Sequence, residues 1–391
     1  MGSSARAVVV TGCGVLAPLG VGVPVFWEAL VAGRSAVAPI ARFPAHDLAP
    51  RNACEVQAAL PPDPDRAGAF ALRAADEALA DAGLAAPCRT RTGVVLGTTL
   101  GGMEIFERWD AARAAGAAAP PDVDRIPYFA PAVRLARTLG CRGPVATTQL
   151  ACASGTHAVA LAADWVRRGE ADVVLAGGTD LLCRFVVTGF NALRATAERA
   201  RPFDRDRRGL VLGEGAAVVV VEAAAHAAAR GARVRARLLG AGAAGDAVHM
   251  TAPDREGGGA ARAIAAALAE AGVPPAAVGF VSAHGTGTVY NDAMEAAALA
   301  RVFGARRVPV NSIKGAIGHT LGAAGAFEVV ACVQTLATGV IPPTAGLAHL
   351  DPACEALDVV AGEARRVPVA VTVSTSSGFA GTNAALVLGA P

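Results

Sequence analysis

Four short segments carry residue types that could do chemistry. The first is Gln149-Leu150-Ala151-Cys152-Ala153-Ser154-Gly155-Thr156-His157, where a β-branched run gives way to an Ala-rich stretch. A cysteine at a strand-to-helix junction faces unpaired backbone N–H groups and the positive end of the helix dipole. Both favour thiolate, so a lowered pKa and a nucleophilic Cys152 are expected. The plainer alternative is a cysteine packed into a tight turn. The second segment, Ser282-Ala283-His284-Gly285-Thr286-Gly287-Thr288, delivers a histidine into a Gly/Thr loop. Its Thr286 and Thr288 hydroxyls could hold a polar chain such as pantetheine. The third, Ser312-Ile313-Lys314-Gly315-Ala316-Ile317-Gly318-His319-Thr320, sets a second histidine five residues after a lysine; Glu328 follows. The fourth, Ser376-Ser377-Gly378-Phe379-Ala380-Gly381-Thr382-Asn383, has one bulky side chain, Phe379, among small ones. It reads as a pliant loop with an apolar plug, against the alternative of an ordinary hairpin turn.

These segments need a scaffold. Apolar β-branched runs alternate with Ala-rich stretches, the pattern of an α/β protein. Strands are expected at 7–11, 91–96, 145–149, 173–176, 216–222, 234–240, 279–283, 308–311, 369–374 and 384–388. Helices are expected at 24–32, 67–82, 156–168, 259–271, 292–303 and 322–338. Gly83, Gly169, Gly272, Gly304 and Gly339 follow five of these helices, where a left-handed cap wants glycine. The Ala/Pro-rich stretch 111–124 reads as a surface loop. A strand leading to Cys152 and a helix, then a strand leading to His284 and a helix, hint at duplication with a seam near Arg235. That divides the chain into 1–235, carrying the cysteine, and 236–391, carrying both histidines.

Composition removes several classes of function. The chain has 391 residues and a net charge of +2, so no strong field favours nucleic acid or an acidic membrane surface. The N-terminus carries no signal-peptide pattern, and apolar runs such as Val218–Val221 are far shorter than the ~20 residues of a membrane helix. The cytoplasm is the expected compartment. The eight cysteines form no CxxC pair, which argues against a metal site or disulfide framework. Gly12-Cys13-Gly14 after a strand imitates a dinucleotide fingerprint, but Pro18 and Gly20 interrupt the helix it would need. His46, His226 and His349 read as surface residues. Of 35 basic residues, all but Lys314 are arginine. A lone lysine in an arginine-favouring sequence fits a site that a planar guanidinium cannot serve.

Taken together, the four segments resemble the β-ketoacyl synthases of the thiolase superfamily, especially the fatty-acid elongation synthases and type II polyketide ketosynthases. The similarity runs from Val10-Thr11-Gly12 through Arg201-Pro202-Phe203-Asp204 and Gly213-Glu214-Gly215 to Gly381-Thr382-Asn383. It implies a five-layer α-β-α-β-α thiolase fold of two fused similar halves, and a Cys152–His284–His319 triad. It further implies Lys314 and Glu328 as supporting residues. Separately, Lys314 is expected to pair with Glu328 and with Asp292 as a further partner. The reaction implied is condensation of an acyl chain on Cys152 with malonyl carrier protein as carbon dioxide leaves. The N–H groups of Cys152 and Phe379 would form the oxyanion hole, and Phe379 would gate the site. No bound cofactor is expected, since phosphopantetheine arrives on the acyl carrier protein. Arg194 and Arg66 would dock that carrier, and Phe106 would limit the acyl pocket. The partner would be a second copy or a chain-length-factor paralogue. A biosynthetic thiolase typically pairs one histidine with a second cysteine, which His319 argues against. A chain-length factor itself would lack Cys152, and a generic cysteine hydrolase leaves the two histidine loops unexplained. Ser377 stands where the fatty-acid enzymes often carry Phe, which leaves fatty-acid and polyketide pathways both open.

Overall fold

A computed structural model describes residues 6–84, 91–118 and 122–391. Cys88 and the first residues of the chain lie outside them. The first half contains strands β1 (Val8–Ala17), β2 (Thr92–Gly97), β3 (Val145–Thr148), β4 (Val173–Asp180) and β5 (Gly215–Ala223). The second contains β6 (Ala236–Gly245), β7 (Phe280–Ser282), β8 (Pro309–Asn311), β9 (Val371–Gly378) and β10 (Thr382–Gly389). All ten expected strands are present, shifted by a few residues at their ends.

The two halves repeat one topology. In the first, β1 pairs antiparallel with β5, β5 antiparallel with β4, and β4, β2 and β3 run parallel. In the second, β6, β10, β9, β7 and β8 follow the same sequence of pairings. Among the described residues, the halves pair edge to edge at Val9–Arg237 and Val10–Ala236. This topology corrects the pairing read from sequence. The strand before Cys152, β3, matches β8, before Lys314 and His319. The His284 strand, β7, matches β2.

Helices complete five layers. Helices α1 (Arg66–Asp81) and α3 (Ala130–Leu139) cover the outer face of the first half, packing Phe70, Leu79 and Leu135 on Val94, Leu175 and Val218. Helices α6 (Gly258–Ala271) and α7 (Val289–Phe303) cover the second half in the same way, through Ile264, Leu268 and Leu299. Between the sheets lie α4 (Ser154–Arg168) and α8 (Ala324–Thr338). The stretch Leu321–Thr338 is long and apolar enough to cross a membrane, but 83% of it is buried in the protein, as a central-layer helix must be. Phe327 on α8 is fully buried, and truncating such a side chain to alanine typically costs about 3–5 kcal/mol.

Glycines set the closest approaches. A Cβ on Gly155 would meet Gly322 O at 2.8 Å, and one on Gly325 would meet Thr156 Oγ1 at 1.9 Å. The helix after Cys152 and the helix after His319 therefore touch backbone to backbone. Gly12 and Gly14 do the same for α1, whose Ala78 and Ala74 carbonyls would stand 2.1 and 1.9 Å from their Cβ atoms. The fingerprint-like glycines are explained by helix–strand packing.

Among the described residues, three helices of 9 residues or more are not expected from sequence: α2 (Met103–Ala114), α3, and α5 (Arg184–Ala192). Helix α2 takes in the first four residues of the stretch read as a loop at 111–124.

Candidate active site

The turn after β3 is tied by one serine. Ser154 Oγ accepts from Leu150 N at 2.8 Å and donates to Ala151 O at 2.6 Å. Thr148 Oγ1 donates to Ser154 O at 2.8 Å. Ala151 takes a left-handed φ of 48°, a strained conformation for a residue with a Cβ, and Cys152 follows it just ahead of α4.

His284 leaves β7 under equally tight control. Its N–H and that of Gly285 donate to Glu295, each at 2.7 Å, and Thr375 Oγ1 donates to the same carboxylate at 2.8 Å. Lys314 Nζ donates to the His284 carbonyl at 2.6 Å, approaches His284 Nδ1 at 3.3 Å and pairs with Glu328 Oε1. His319 is held by its N–H on Val211 O at 2.7 Å, while its Nδ1 accepts from Leu321 N at 3.1 Å. The two imidazoles meet edge to face, with centroids 5.2 Å apart.

These partners fix the chemistry of the rings. Each Nδ1 is used as an acceptor, so each Nε2 carries the hydrogen. Burial, reinforced by the Lys314 charge, holds both histidines well below their ordinary pKa, so both are neutral donors. Ligand-capable atoms of Cys152, His284 and His319 lie within 4.8 Å of one another. Metal coordination would need the Nε2 lone pairs, which this wiring replaces with N–H bonds.

Cys152 departs from expectation. Burial pushes its thiol up to about 12; Lys314 opposes this, and Asp180 and Glu328 reinforce it. At neutral pH Cys152 is therefore a thiol, and desolvation outweighs the lowering expected from the helix N-terminus.

Cys152, His284 and His319 line one cavity of about 330 Å³ with Thr286, Thr288, Phe190, Arg194 and Phe379. The two threonine hydroxyls bond each other at 2.9 Å. Phe379 is half-buried, belongs to the turn between β9 and β10, and stacks on Phe190 at 5.8 Å. Arg194 is exposed at the rim with a left-handed φ of 53°.

Two placements differ from those expected, and a third residue, expected at a pocket floor often built from the partner subunit, does not serve this chain's own cavity. Asp292 does not meet Lys314. It accepts from Phe203 N at 2.7 Å and Gly287 N at 3.1 Å, and faces Arg207 at 3.7 Å, so it braces the Thr286–Thr288 loop instead. Arg66 is no docking residue: its side chain is largely buried, ion-paired to Glu214 at 2.6 Å and Glu104 at 3.1 Å. Phe106 does not line this chain's cavity. It is 38% exposed on α2 and packs against Trp109 with the rings tilted. Of the histidines read as surface residues, His46 and His349 are exposed and His226 is half-buried against Glu222.

Two carboxylates that matter were not singled out from sequence. Glu295, pushed up to about 7 by burial, fixes the His284 backbone. Asp180, pushed up to about 6 by burial, accepts from Thr98 Oγ1, Thr99 N, Leu100 N and Gly322 N at 2.7–3.0 Å. It ties the loop after β2 to the His319 loop. For Asp180 the available signal is an acid inside an otherwise apolar run, which must be either exposed or fully bonded.

Comparison with known proteins gives a consistent outcome. Residues 5–227 match the family model of the β-ketoacyl synthase N-terminal domain, and residues 235–348 that of the C-terminal domain. A putative polyketide β-ketoacyl synthase 1 of Streptomyces cyaneus is 41% identical, with 99% of this chain and 98% of the relative covered. The solved ishigamide ketosynthase/chain length factor superposes with a TM-score of 0.94 at 38% identity, covering 99% of this chain and 100% of that one. A type II polyketide acyl-carrier protein in complex with its ketosynthase gives 0.92 at 31% identity, with coverage of 99% and 100%.

Proposed function

This chain belongs to the β-ketoacyl synthase family, and from that premise we propose that it joins an acyl group on Cys152 to a malonyl unit on acyl carrier protein with loss of carbon dioxide. The observation that supports this most is the pair of neutral Nε2–H donors facing one buried thiol.

The first half-reaction is thioester exchange. Cys152 sulfur attacks the acyl thioester, the acyl–sulfur bond to pantetheine breaks, and the thiol proton ends on the departing pantetheine sulfur. The N–H groups of Cys152 and Phe379 serve the transient oxyanion; Gly378 packs where a Cβ would come within 3.1 Å of Cys152 N, which keeps that corner open. Malonyl carrier protein enters next. His284 and His319 donate to its thioester carbonyl and hold the negative charge that grows on that oxygen as the carboxylate departs. The resulting carbanion attacks the acyl carbon, the bond to Cys152 sulfur breaks, and the sulfur takes up a proton from water. No bound cofactor is called for. Decarboxylation supplies the driving force, and phosphopantetheine comes with the carrier.

Thr286 and Thr288 would guide the pantetheine arm along the cavity. Arg194 would meet the acidic carrier at a rim where Leu193, Met250, Val289 and Tyr290 are also exposed. A type II polyketide pathway is favoured over fatty-acid synthesis, in line with Ser377, small where the fatty-acid enzymes often carry Phe. The second subunit would cover Phe106, Tyr128, Phe129 and Phe185, exposed around the start of α2, α3 and α5. The likeness to a ketosynthase/chain length factor pair makes a paralogue the favoured partner, and a second copy the alternative. We place the seam between the halves at Arg235 and the enzyme in the cytoplasm.

Intact mass spectrometry with a panel of acyl carrier proteins tests the reading. An acyl adduct on Cys152, lost in Cys152→Ala, together with carbon dioxide release from malonyl carrier protein, is the expected result. An adduct that persists in Cys152→Ala on another residue would overturn it.

A further inference from the structure

One buried hydroxyl joins three elements that the condensation needs in register. Ser376, on β9, is 1% exposed and donates to Glu328 Oε2 at 3.0 Å. Its own oxygen lies 2.7 Å from Thr156 Oγ1. Since the Ser376 hydrogen goes to the carboxylate, Thr156 is the donor in that second bond. Thr156 stands on α4, four residues after Cys152. Glu328 stands on α8 and pairs with Lys314 through its other oxygen. Lys314 spends its remaining hydrogens on the carbonyl and Nδ1 of His284. The line Thr156–Ser376–Glu328–Lys314–His284 therefore runs unbroken from the helix of the nucleophile to a donor histidine. Every member is at least 97% buried. Gly325 packs directly on Thr156, where an added Cβ would stand 1.9 Å from its hydroxyl oxygen.

We infer that Ser376 is a positioning residue for malonyl decarboxylation, acting through Glu328 and Lys314 to keep His284 in its Nε2–H form. The inference rests on the condensing-enzyme reading above. An ammonium has three hydrogens and no acceptor. As long as Lys314 keeps all three, His284 Nδ1 must accept and Nε2 must donate into the cavity. Lys314 keeps them only beside a carboxylate, and a fully buried carboxylate oxygen without a donor is costly. Without the Ser376 hydroxyl, the buried pair lowers its cost by passing a proton from Lys314 to Glu328. The neutral amine then offers a lone pair, and His284 can turn its hydrogen toward Nδ1 and away from the substrate.

Nitrogen-15 NMR of labelled histidine reads the tautomer directly and needs no substrate. In the wild-type protein His284 should show the Nε2–H form. In Ser376→Ala its signals should move to a mixture of tautomers, with Cys152 acylation changed less than about twofold and malonyl decarboxylation slowed on the order of tenfold. That is short of the 10²–10³ lost when an oxyanion donor is removed outright. Ser376→Thr, which keeps the hydroxyl, should restore both readouts; Ser376→Cys, nearly the same size but a poor donor, should not. Wild-type histidine signals in a folded Ser376→Ala or Ser376→Cys would overturn the inference. So would equal losses in acylation and decarboxylation without a change of tautomer. A wild-type protein that released no carbon dioxide would sink the condensation reading, while the tautomer comparison still decided the role of Ser376.

Discussion

The turn after β3 and the turn after β8 occupy the same place in their half of the molecule, yet do opposite work. Residues 149–153 separate β3 from α4, whereas residues 312–323 separate β8 from α8. The short turn leaves Cys152 on a strained elbow beside a helix N-terminus, with its thiol the only reactive group. The longer one has room for a helical turn at Lys314–Ile317, and then for His319 to fold back over the cysteine. A duplicated scaffold thus fixes two loop ends against each other. A difference in loop length decides which carries the nucleophile and which carries Lys314 and the donor His319. It follows that the two loops should fail separately.

The largest split is expected from His319→Ala. Removing one positioned donor to developing charge should slow malonyl decarboxylation about 10²–10³-fold. Acylation of Cys152 should stay within a fewfold of wild type, since the oxyanion in that step is held by backbone. Single-turnover acylation measured beside carbon dioxide release checks this, and normal decarboxylation would remove His319 from the donor role. A smaller effect is expected at the turn between β9 and β10. Phe379 belongs to no buried core cluster and packs on Phe190 across the cavity. Phe379→Ala should leave the melting temperature nearly unchanged while slowing acylation or releasing carbon dioxide without condensation. A large loss of melting temperature with intact kinetics would make Phe379 an anchor.

This division of labour is partly legible in the sequence. Cys152, His284 and His319 stood out because reactive side chains in Gly-rich strand ends have few structural uses. The regular elements followed from period-two and Ala-rich runs. What escaped has physical reasons. Helix α2 buries only Ile105, so it shows no apolar stripe. Helix α5 reads Arg-Phe-Val-Val-Thr-Gly-Phe, a β-forming string that tertiary packing overrides. Glu295 sits in an Ala-rich helix and looks like a solvated charge, until the fold brings the His284 backbone to it. Arg66 failed in the opposite sense. Glu214, between two glycines in an apolar run, is a buried acid that must have a cation, and Arg66 is spent on it. The thiol of Cys152 was misjudged because sequence shows the helix end but not the depth of burial.

Buried carboxylates on either side of that seam give a pH test of intermediate size. Asp180 lies near 6 and Glu295 near 7, above their ordinary 3.8 and 4.5, because burial disfavours their charged forms. Between those ordinary values and the raised ones, the native protein holds protons that the unfolded chain has released. Unfolding then gives up protons, so their contribution to stability is full at low pH and falls as pH rises, levelling off above about 7. Each group contributes at most about 1.4 kcal/mol per pH unit. The melting temperature should decline from pH 5 to pH 7, and Asp180→Asn or Glu295→Gln should flatten that decline. A slope the same in both variants as in wild type would show that other groups carry it.

The smallest effect belongs at the rim, where the comparison of buried loops gives way to an exposed surface. Arg194 follows α5, projects at the cavity mouth, and forms no ion pair with a carboxylate among the described residues. Its left-handed backbone leaves it at the end of a turn rather than on a helix face. A solvated charge there gains little from any single contact, since exposed pairs are worth about 0.2–1 kcal/mol. Its main influence is on the encounter with a charged partner and on salt dependence. Arg194→Glu should therefore raise the KM for carrier-bound substrate roughly two- to fivefold at low salt. The effect should shrink as salt screens the rim. A small thioester mimic, which reaches Cys152 without docking, should show no change. Measuring both substrates across a salt series separates docking from chemistry. Equal effects on carrier and mimic would place Arg194 in the cavity's own machinery, and Arg66→Ala, whose arginine is tied to Glu214, should instead lower the melting temperature.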